Sequence, residues 1–212
     1  MVRLGLIRAA WDGEWEVAVT PFAEPLQVAE LLAAFERPWC VAGGWAIDLF
    51  LGRVTRAHHD VEISILRADQ FLLRRHLAGW EFEKAFPGPE RRLEPWHEGQ
   101  WLAVPVHEVR AHRQQGKPQA LEIFLTDSSA QEWWYRRNPA IRRPLSLISA
   151  RSDLGVPFLR PEVVLLYKAK NPREQDEADF QNARERLDEE SRAWLRQAIA
   201  ACHPGHPWLG LL

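Results

Sequence analysis

Residues 41–66 read VAGGWAIDLFLGRVTRAHHDVEISIL, and the order of residue types in this stretch decides the fold. The apolar run Trp39 to Ala42 is followed by Gly43-Gly44, then by WAIDLFL and Gly52. That order predicts a strand, a glycine turn and a short helix closed by glycine. Glycines at such a turn let a backbone approach phosphate oxygens, and a helix N-terminus favours anions. Further on, DVEISIL (60–66) alternates strictly and reads as a strand. Asp60, Glu62 and Ser64 then share one face, and Val61, Ile63 and Ile65 share the core-facing one. Carboxylates at i and i+2 lie about 7 Å apart at Cα and can converge on one ion. They repel each other unless a cation sits between them. Mg²⁺ suits such a pair, because it takes one or two carboxylates plus water and phosphate oxygens.

LEIFL (121–125) is a second alternating strand. Leu121, Ile123 and Leu125 face one way, and Glu122 shares the other face with Phe124. A carboxylate within an apolar strand costs free energy unless it is paired or metal-bound. Taken singly, the D-x-E pair or Glu122 reads as the polar outer face of a half-exposed strand.

Outward from these strands, Leu26 to Glu36 reads as an amphipathic helix after Pro25, and Ala68 to Leu77 as another. Glu81–Phe86 and Glu132–Arg136 read as strands, and residues 91–119 show no clear pattern. A strand pair is expected over residues 11–19, with Asp12-Gly13 as its turn. After Pro161, the stretches PEVVLLYKAK, EQDEADFQNARERL and SRAWLRQAIAA all read as helices. The expected class is α/β (α+β): a mixed sheet flanked by helices over residues 1–157, then a C-terminal helical lobe over 158–212.

A chain of 212 residues can bury a large core without disulfides or a structural metal. Cys40 and Cys202 lack CxxC spacing and read as reduced thiols. The sequence has no apolar run of about 18 residues, which excludes a membrane-spanning helix. The start lacks a signal-peptide core, so a cytoplasmic location is expected. A net charge of −2 argues against nucleic acid as the partner. Arg136, Arg137, Arg142 and Arg143 could still meet phosphate or RNA, or simply form a solvated edge. Eleven Trp residues exceed ordinary usage. They serve packing, or a few form a stacking wall for a flat ligand.

The glycine turn, the D-x-E strand and a later strand with a third carboxylate resemble the nucleotidyltransferase fold of the DNA polymerase β superfamily. Within it, Gly43, Gly44, Trp45, Asp48, Gly52, Arg56, His58, Asp60 and Glu62 resemble the signature of the aminoglycoside 2″-adenylyltransferase and lincosamide nucleotidyltransferase family. The resemblance implies transfer of a nucleoside monophosphate, AMP from ATP by family habit, to a hydroxyl of a small-molecule acceptor such as an aminoglycoside-like antibiotic. It implies Mg²⁺ or Mn²⁺ held by Asp60, Glu62 and Glu122, with Glu122 also taking the hydroxyl's proton. Gly43 and Gly44 would face the triphosphate, with Arg56 and Lys168 as counter-charges. Asp48 and His58 would support the loop before Asp60. Asp176 and Asp179, at i and i+3, would form an acidic wall for a cationic acceptor, although acids here also complement a helix dipole. Two positions depart from the pattern of the wider superfamily. Trp45 removes a hydroxyl that many members carry after the first glycine, and Glu62 stands where many carry Asp. These departures leave room for a catalytically degenerate nucleotide- or metal-binding protein of the same fold. The arginine segment leaves room for an RNA- or toxin–antitoxin-linked binding module.

Overall fold

The computed structural model describes residues 20–88 and 92–212; the strand pair expected at 11–19 lies outside them. The chain opens with α1 (Ala23–Leu31), β1 (Trp39–Val41), α2 (Gly43–Leu51), β2 (Glu62–Leu66) and α3 (Gln70–His76). The strands β3 (Glu81–Phe86), β4 (Arg92–Pro95), β5 (Glu108–His112) and β6 (Ala120–Thr126) follow. Next come β7 (Glu132–Tyr135), β8 (Asn138–Pro144), β9 (Ser149–Arg151) and β10 (Pro157–Leu159). Three helices end the chain: α4 (Pro161–Lys168), α5 (Glu174–Arg184) and α6 (Glu189–Cys202).

The strands form a mixed sheet in the order β4-β3-β5-β6-β2-β1-β10-β9, and β7 and β8 form a separate hairpin. The pairs β2/β6 and β1/β10 are parallel, and the other pairs are antiparallel. Alternation sets the faces. Ile63, Ile65, Val109, Ile123 and Leu125 are buried to 2% exposure or less, which leaves the opposite face to their even-numbered neighbours, among them Glu62, Ser64, Arg110 and Glu122. The parallel register places Glu62 directly beside Glu122. Residues 60 positions apart thus meet because an apolar face fixes the register of both strands.

α2 is apolar almost all round, and residues 44–49 and Leu51 are all buried. A helix of that kind needs cover on every side. It packs on β2 and β10 and against α4 and α5, so the C-terminal helices close over the glycine turn. β10, at 157–159, is a strand of the main sheet and leads straight into α4.

Several elements differ from the sequence expectation. α1 starts earlier and ends at Leu31, because 3₁₀-type bonds from Ala33 to Glu30 and from Phe35 to Leu32 tighten the chain and turn Phe35 into the core. β2 starts at Glu62, leaving Asp60 in the exposed loop before it. β8 carries prolines at both Pro139 and Pro144, which hide a strand that pairs along one edge only. Cys40 and Cys202 are free thiols, and burial pushes Cys40 up to about 12. Among the described residues no helix is long and apolar enough to cross a membrane.

Candidate active site

The glycine turn is shaped by side chains that press on it. Gly43 has φ +59°, and a Cβ there would lie 1.2 Å from Glu62 Oε2. A Cβ at Gly44 would lie 2.0 Å from Arg56 Nη2 and 2.7 Å from His58 Cε1. A side chain at either position would have to displace these groups. α2 has no side-chain cap of its own. The Glu62 carboxylate takes that place and accepts the Gly44 N–H. Burial, together with the charges of Glu122 and Asp60, pushes Glu62 above the ordinary carboxylate range, against the pull of Lys168 and the Gly44 N–H.

The loop from α2 to β2 is held from beneath. Asp48 is fully buried; its Oδ1 accepts from Thr55 N (3.1 Å) and Thr55 Oγ1 (2.6 Å), and its Oδ2 lies 2.6 Å from His58 Nε2. Trp45 stacks on the His58 ring at 4.2 Å. Trp45 therefore props the loop that delivers Asp60.

Arg56 and Lys168 are held by the very acids expected to form an acceptor wall. Arg56 Nε and Nη2 donate to Asp179 Oδ1 and Oδ2 at 3.0 and 3.1 Å. Lys168 Nζ lies 3.0 Å from Asp179 Oδ2 and also bonds Asp176. Asp176 further accepts from Arg173 N (3.1 Å) and Arg173 Nε (2.9 Å). Burial raises its pKa, but the Arg173 and Lys168 bonds outweigh that and hold it at about 2. Asp176 and Asp179 are thus turned inward and nearly inaccessible. They lie on one stripe with Phe180 and Ala183, the buried face of α5. That stripe is the sequence signal that places them inside.

A cleft of about 410 Å³ opens at the glycine turn. Gly43, Glu62, Ser64 and Thr126 line one side, and Arg136, Arg137, Lys168, Lys170 and Arg173 bring positive charge to the other. Arg136 and Arg137 form the β7–β8 turn. Arg137 Nη1 fastens that turn by donating to Tyr167 O at 2.8 Å, and both guanidiniums lie over the Tyr167 ring. Arg142 instead pairs with Glu132, and the buried Arg143 pairs with Glu162 at 2.8 Å. The four arginines thus divide between cleft and framework. Trp133 is the one Trp among those lining this cleft; Trp80, Trp96 and Trp208 are buried in packing.

A second cleft, of about 670 Å³, lies on the other side of the carboxylate row, where Asp60 and Glu122 are exposed to it. Arg110 stands between them and the outer strands, its Nη2 3.2 Å from Glu122 Oε1. Sequence reading missed Arg110, Lys170 and Arg173. Arg110 lies in the stretch without a clear pattern, and only strand pairing brings it beside Glu122.

Among the described residues no three His, Cys, Asp or Glu side chains are gathered as a metal cage. Glu122 reaches toward Arg110, and Glu62 toward Gly44. The donor chemistry nevertheless fits a hard divalent cation: Asp60, Glu62 and Glu122 are oxygen donors whose mutual repulsion a cation would relieve.

Residues 25–86 match a family model described as aminoglycoside-2''-adenylyltransferase. In structure, the chain is similar to the lincosamide antibiotic adenylyltransferase LnuA in its lincomycin-bound form. That match has a TM-score of 0.53 and 16% identity, and covers 77% of this chain and 96% of that one. It is similar also to ANT(2'')-Ia in complex with adenylyl-2''-tobramycin, with a TM-score of 0.54 and 16% identity over 83% of this chain and 94% of that one. The chain has the fold of the antibiotic nucleotidyltransferases. The proteins it resembles are nucleotidyltransferase enzymes. No curated protein matches the sequence. The central feature of this site is a parallel β2–β6 pair that sets carboxylates beside a helix N-terminus.

Proposed function

We propose that the protein is a metal-dependent nucleotidyltransferase, moving a nucleoside monophosphate, AMP from ATP, to a hydroxyl of a small-molecule acceptor. One observation carries this reading: the row Asp60, Glu62 and Glu122 lies between two clefts of opposite character. The cationic cleft at the glycine turn suits the nucleoside triphosphate. The other, floored by strands, suits the acceptor. The similar solved structures hold lincomycin or an adenylylated aminoglycoside, which supports an antibiotic-sized acceptor here.

Asp60, Glu62 and Glu122 would hold Mg²⁺ or Mn²⁺, which when bound would neutralise charge developing on the phosphoryl oxygens. Glu122 takes the proton of the acceptor hydroxyl. The hydroxyl oxygen forms a bond to the α-phosphorus, the bond from that phosphorus to the bridging oxygen breaks, and pyrophosphate leaves. Arg136, Arg137, Lys168 and Lys170 receive its charge. Asp179 acts at a distance, by fixing Lys168 and Arg56. The helices of 158–212 form the cover of the nucleotide cleft.

Calorimetric titration of a non-hydrolysable ATP analogue with Mg²⁺, into wild type and into an Asp60→Asn, Glu62→Gln double variant, tests the reading. Metal-dependent binding that the double variant loses is expected. Absence of nucleotide binding by folded wild type would overturn it.

A further inference from the structure

We infer that Arg110 is a resident counter-cation of the carboxylate row with two positions, one on Glu122 and one on Glu108, and that a divalent cation on Glu122 selects the second. This rests on the transferase reading, in which Glu122 holds metal and takes the acceptor's proton.

The sheet register surrounds one arginine with acids. Arg110 lies opposite Glu122 on β6 and opposite Glu83 on β3. Glu108 precedes it by two residues on β5 and so shares its face. The guanidinium is divided unevenly among these acids. Its Nη2 is 3.2 Å from Glu122 Oε1, a close ion pair, while its Nε is 4.0 Å from Glu108 Oε1, beyond hydrogen-bonding range. Among the described residues Arg110 Nε is buried and has no hydrogen-bond partner. A buried donor left unpaired costs free energy, most of all on a charged group. The position on Glu122 therefore carries a penalty that the position on Glu108 would remove. A movement of about 1 Å brings Nε to hydrogen-bond distance from Glu108. The side chain has room for it, being 38% exposed and lining a cleft of about 670 Å³.

Charge on Glu122 decides between the two positions. Glu122 stands beside Glu62 in the parallel register, and adjacent carboxylates call for a cation. Arg110 supplies one. A guanidinium keeps its charge at any working pH, so it must either oppose a divalent ion on the same carboxylate or move off it. Glu108 gives it an anion to move to, with the unpaired Nε already on that side. Arg110 is thus a positioning residue that acts through Glu122. Glu122 Oε1 becomes available to the ion and to the acceptor hydroxyl together, in the loaded site.

A double-mutant cycle tests this. For wild type, Arg110→Gln, Glu108→Gln and the double variant, calorimetry compares binding of the non-hydrolysable ATP analogue with Mn²⁺ and with a chelator. The ratio of the two affinities reads the metal's contribution. Arg110→Gln should raise that ratio about fivefold, and Glu108→Gln should lower it about fivefold by leaving Arg110 on Glu122. In the Arg110→Gln background, Glu108→Gln should change it less than about twofold. Simple loss of a charge would act equally in both backgrounds, so additive effects would overturn the inference. A second measurement needs no substitution: in wild type, the Arg110 Nε–H resonance should shift and exchange more slowly with solvent when Mg²⁺ and the analogue are added. An unchanged resonance would overturn the inference too. If folded wild type binds the analogue no better with Mn²⁺ than with the chelator, the transferase reading beneath it fails instead.

Discussion

Arg56 and Asp179 are 123 residues apart in the chain and meet in a parallel pair of hydrogen bonds, 3.0 and 3.1 Å long. The pair joins the loop before the D-x-E strand to α5, beside the cleft at the glycine turn. Asp179 also holds Lys168 at 3.0 Å. One buried carboxylate thereby sets the position of two cations, one behind Gly44 and one facing Glu62.

Asp179→Asn should destabilise the protein by about 3 kcal/mol, since removing one partner of a buried pair strands the others' charge. Asp179 is 1% exposed and Arg56 22%, so solvent compensates little. Urea unfolding measures the loss. The same variant should weaken nucleotide-analogue binding at temperatures where it remains folded, because Lys168 and Arg56 lose their common anchor. Unchanged binding would show that neither cation needs Asp179 for its position.

Gly44→Ala should damage the site more than the fold. Its Cβ would lie 2.0 Å from the Arg56 guanidinium and 2.7 Å from the His58 ring. Arg56 can swing outward, but only by leaving Asp179, and His58 only by leaving Asp48. The expected loss is about 1–3 kcal/mol of stability, with nucleotide-analogue binding lost. Gly43→Ala should be worse, since its φ of +59° adds backbone strain to the displacement of Glu62. Thermal melting beside calorimetric titration separates the two effects.

The site was legible where short-range pattern carries it. Gly43-Gly44, the alternation of DVEISIL and the alternation of LEIFL each follow from residues close in sequence, and the observed strands β2 and β6 follow them. Partners across long loops were not legible. Asp176 and Asp179 look like helix-surface acids until Phe180 and Ala183 are seen on the same stripe, and even then their cations come from residues 56 and 168. Arg110 has no local signal at all, because its role depends on the β5–β6 register. β8 was hidden by its prolines, and with it the turn that brings Arg136 and Arg137 to the cleft.

His107 should make stability depend on pH. Burial, helped by the charges of Arg136 and Arg67 and opposed by Asp127, lowers its pKa from 6.5 to about 4. Between those values the unfolded chain binds a proton that the folded protein does not. Stability should therefore rise as pH goes from about 4 to about 6.5, and level off above. His107→Gln should flatten this rise. Chemical denaturation across that range tests it, and an equal slope in wild type and variant would refute the assignment.

Asp60→Asn should abolish transfer while leaving the fold untouched. Asp60 is exposed in the loop before β2, so the change in stability should stay within about 0.5 kcal/mol. Loss of a ligand to a catalytic cation, by contrast, should lower turnover by about a thousandfold or more. Pyrophosphate release with an accepted substrate measures the rate. Near-normal release would remove Asp60 from the mechanism.

Glu62→Asp should strengthen metal-free binding of pyrophosphate. In the structure the Glu62 carboxylate lies over the glycine turn and accepts the Gly44 N–H, occupying the anion position at the start of α2. Aspartate is one methylene shorter and cannot span the same distance from β2, so the N–H would be released. A free helix N-terminus favours an anion by about 0.3–1 kcal/mol, which corresponds to an affinity gain of about two- to fivefold. The hydrogen bonds that hold Lys168 and Arg137 do not involve Glu62, so those two cations keep their positions in the variant. Titration of inorganic pyrophosphate in the presence of a chelator reads it directly. Equal or weaker binding by Glu62→Asp would mean that the longer side chain does not compete with phosphate for the Gly43-Gly44 turn.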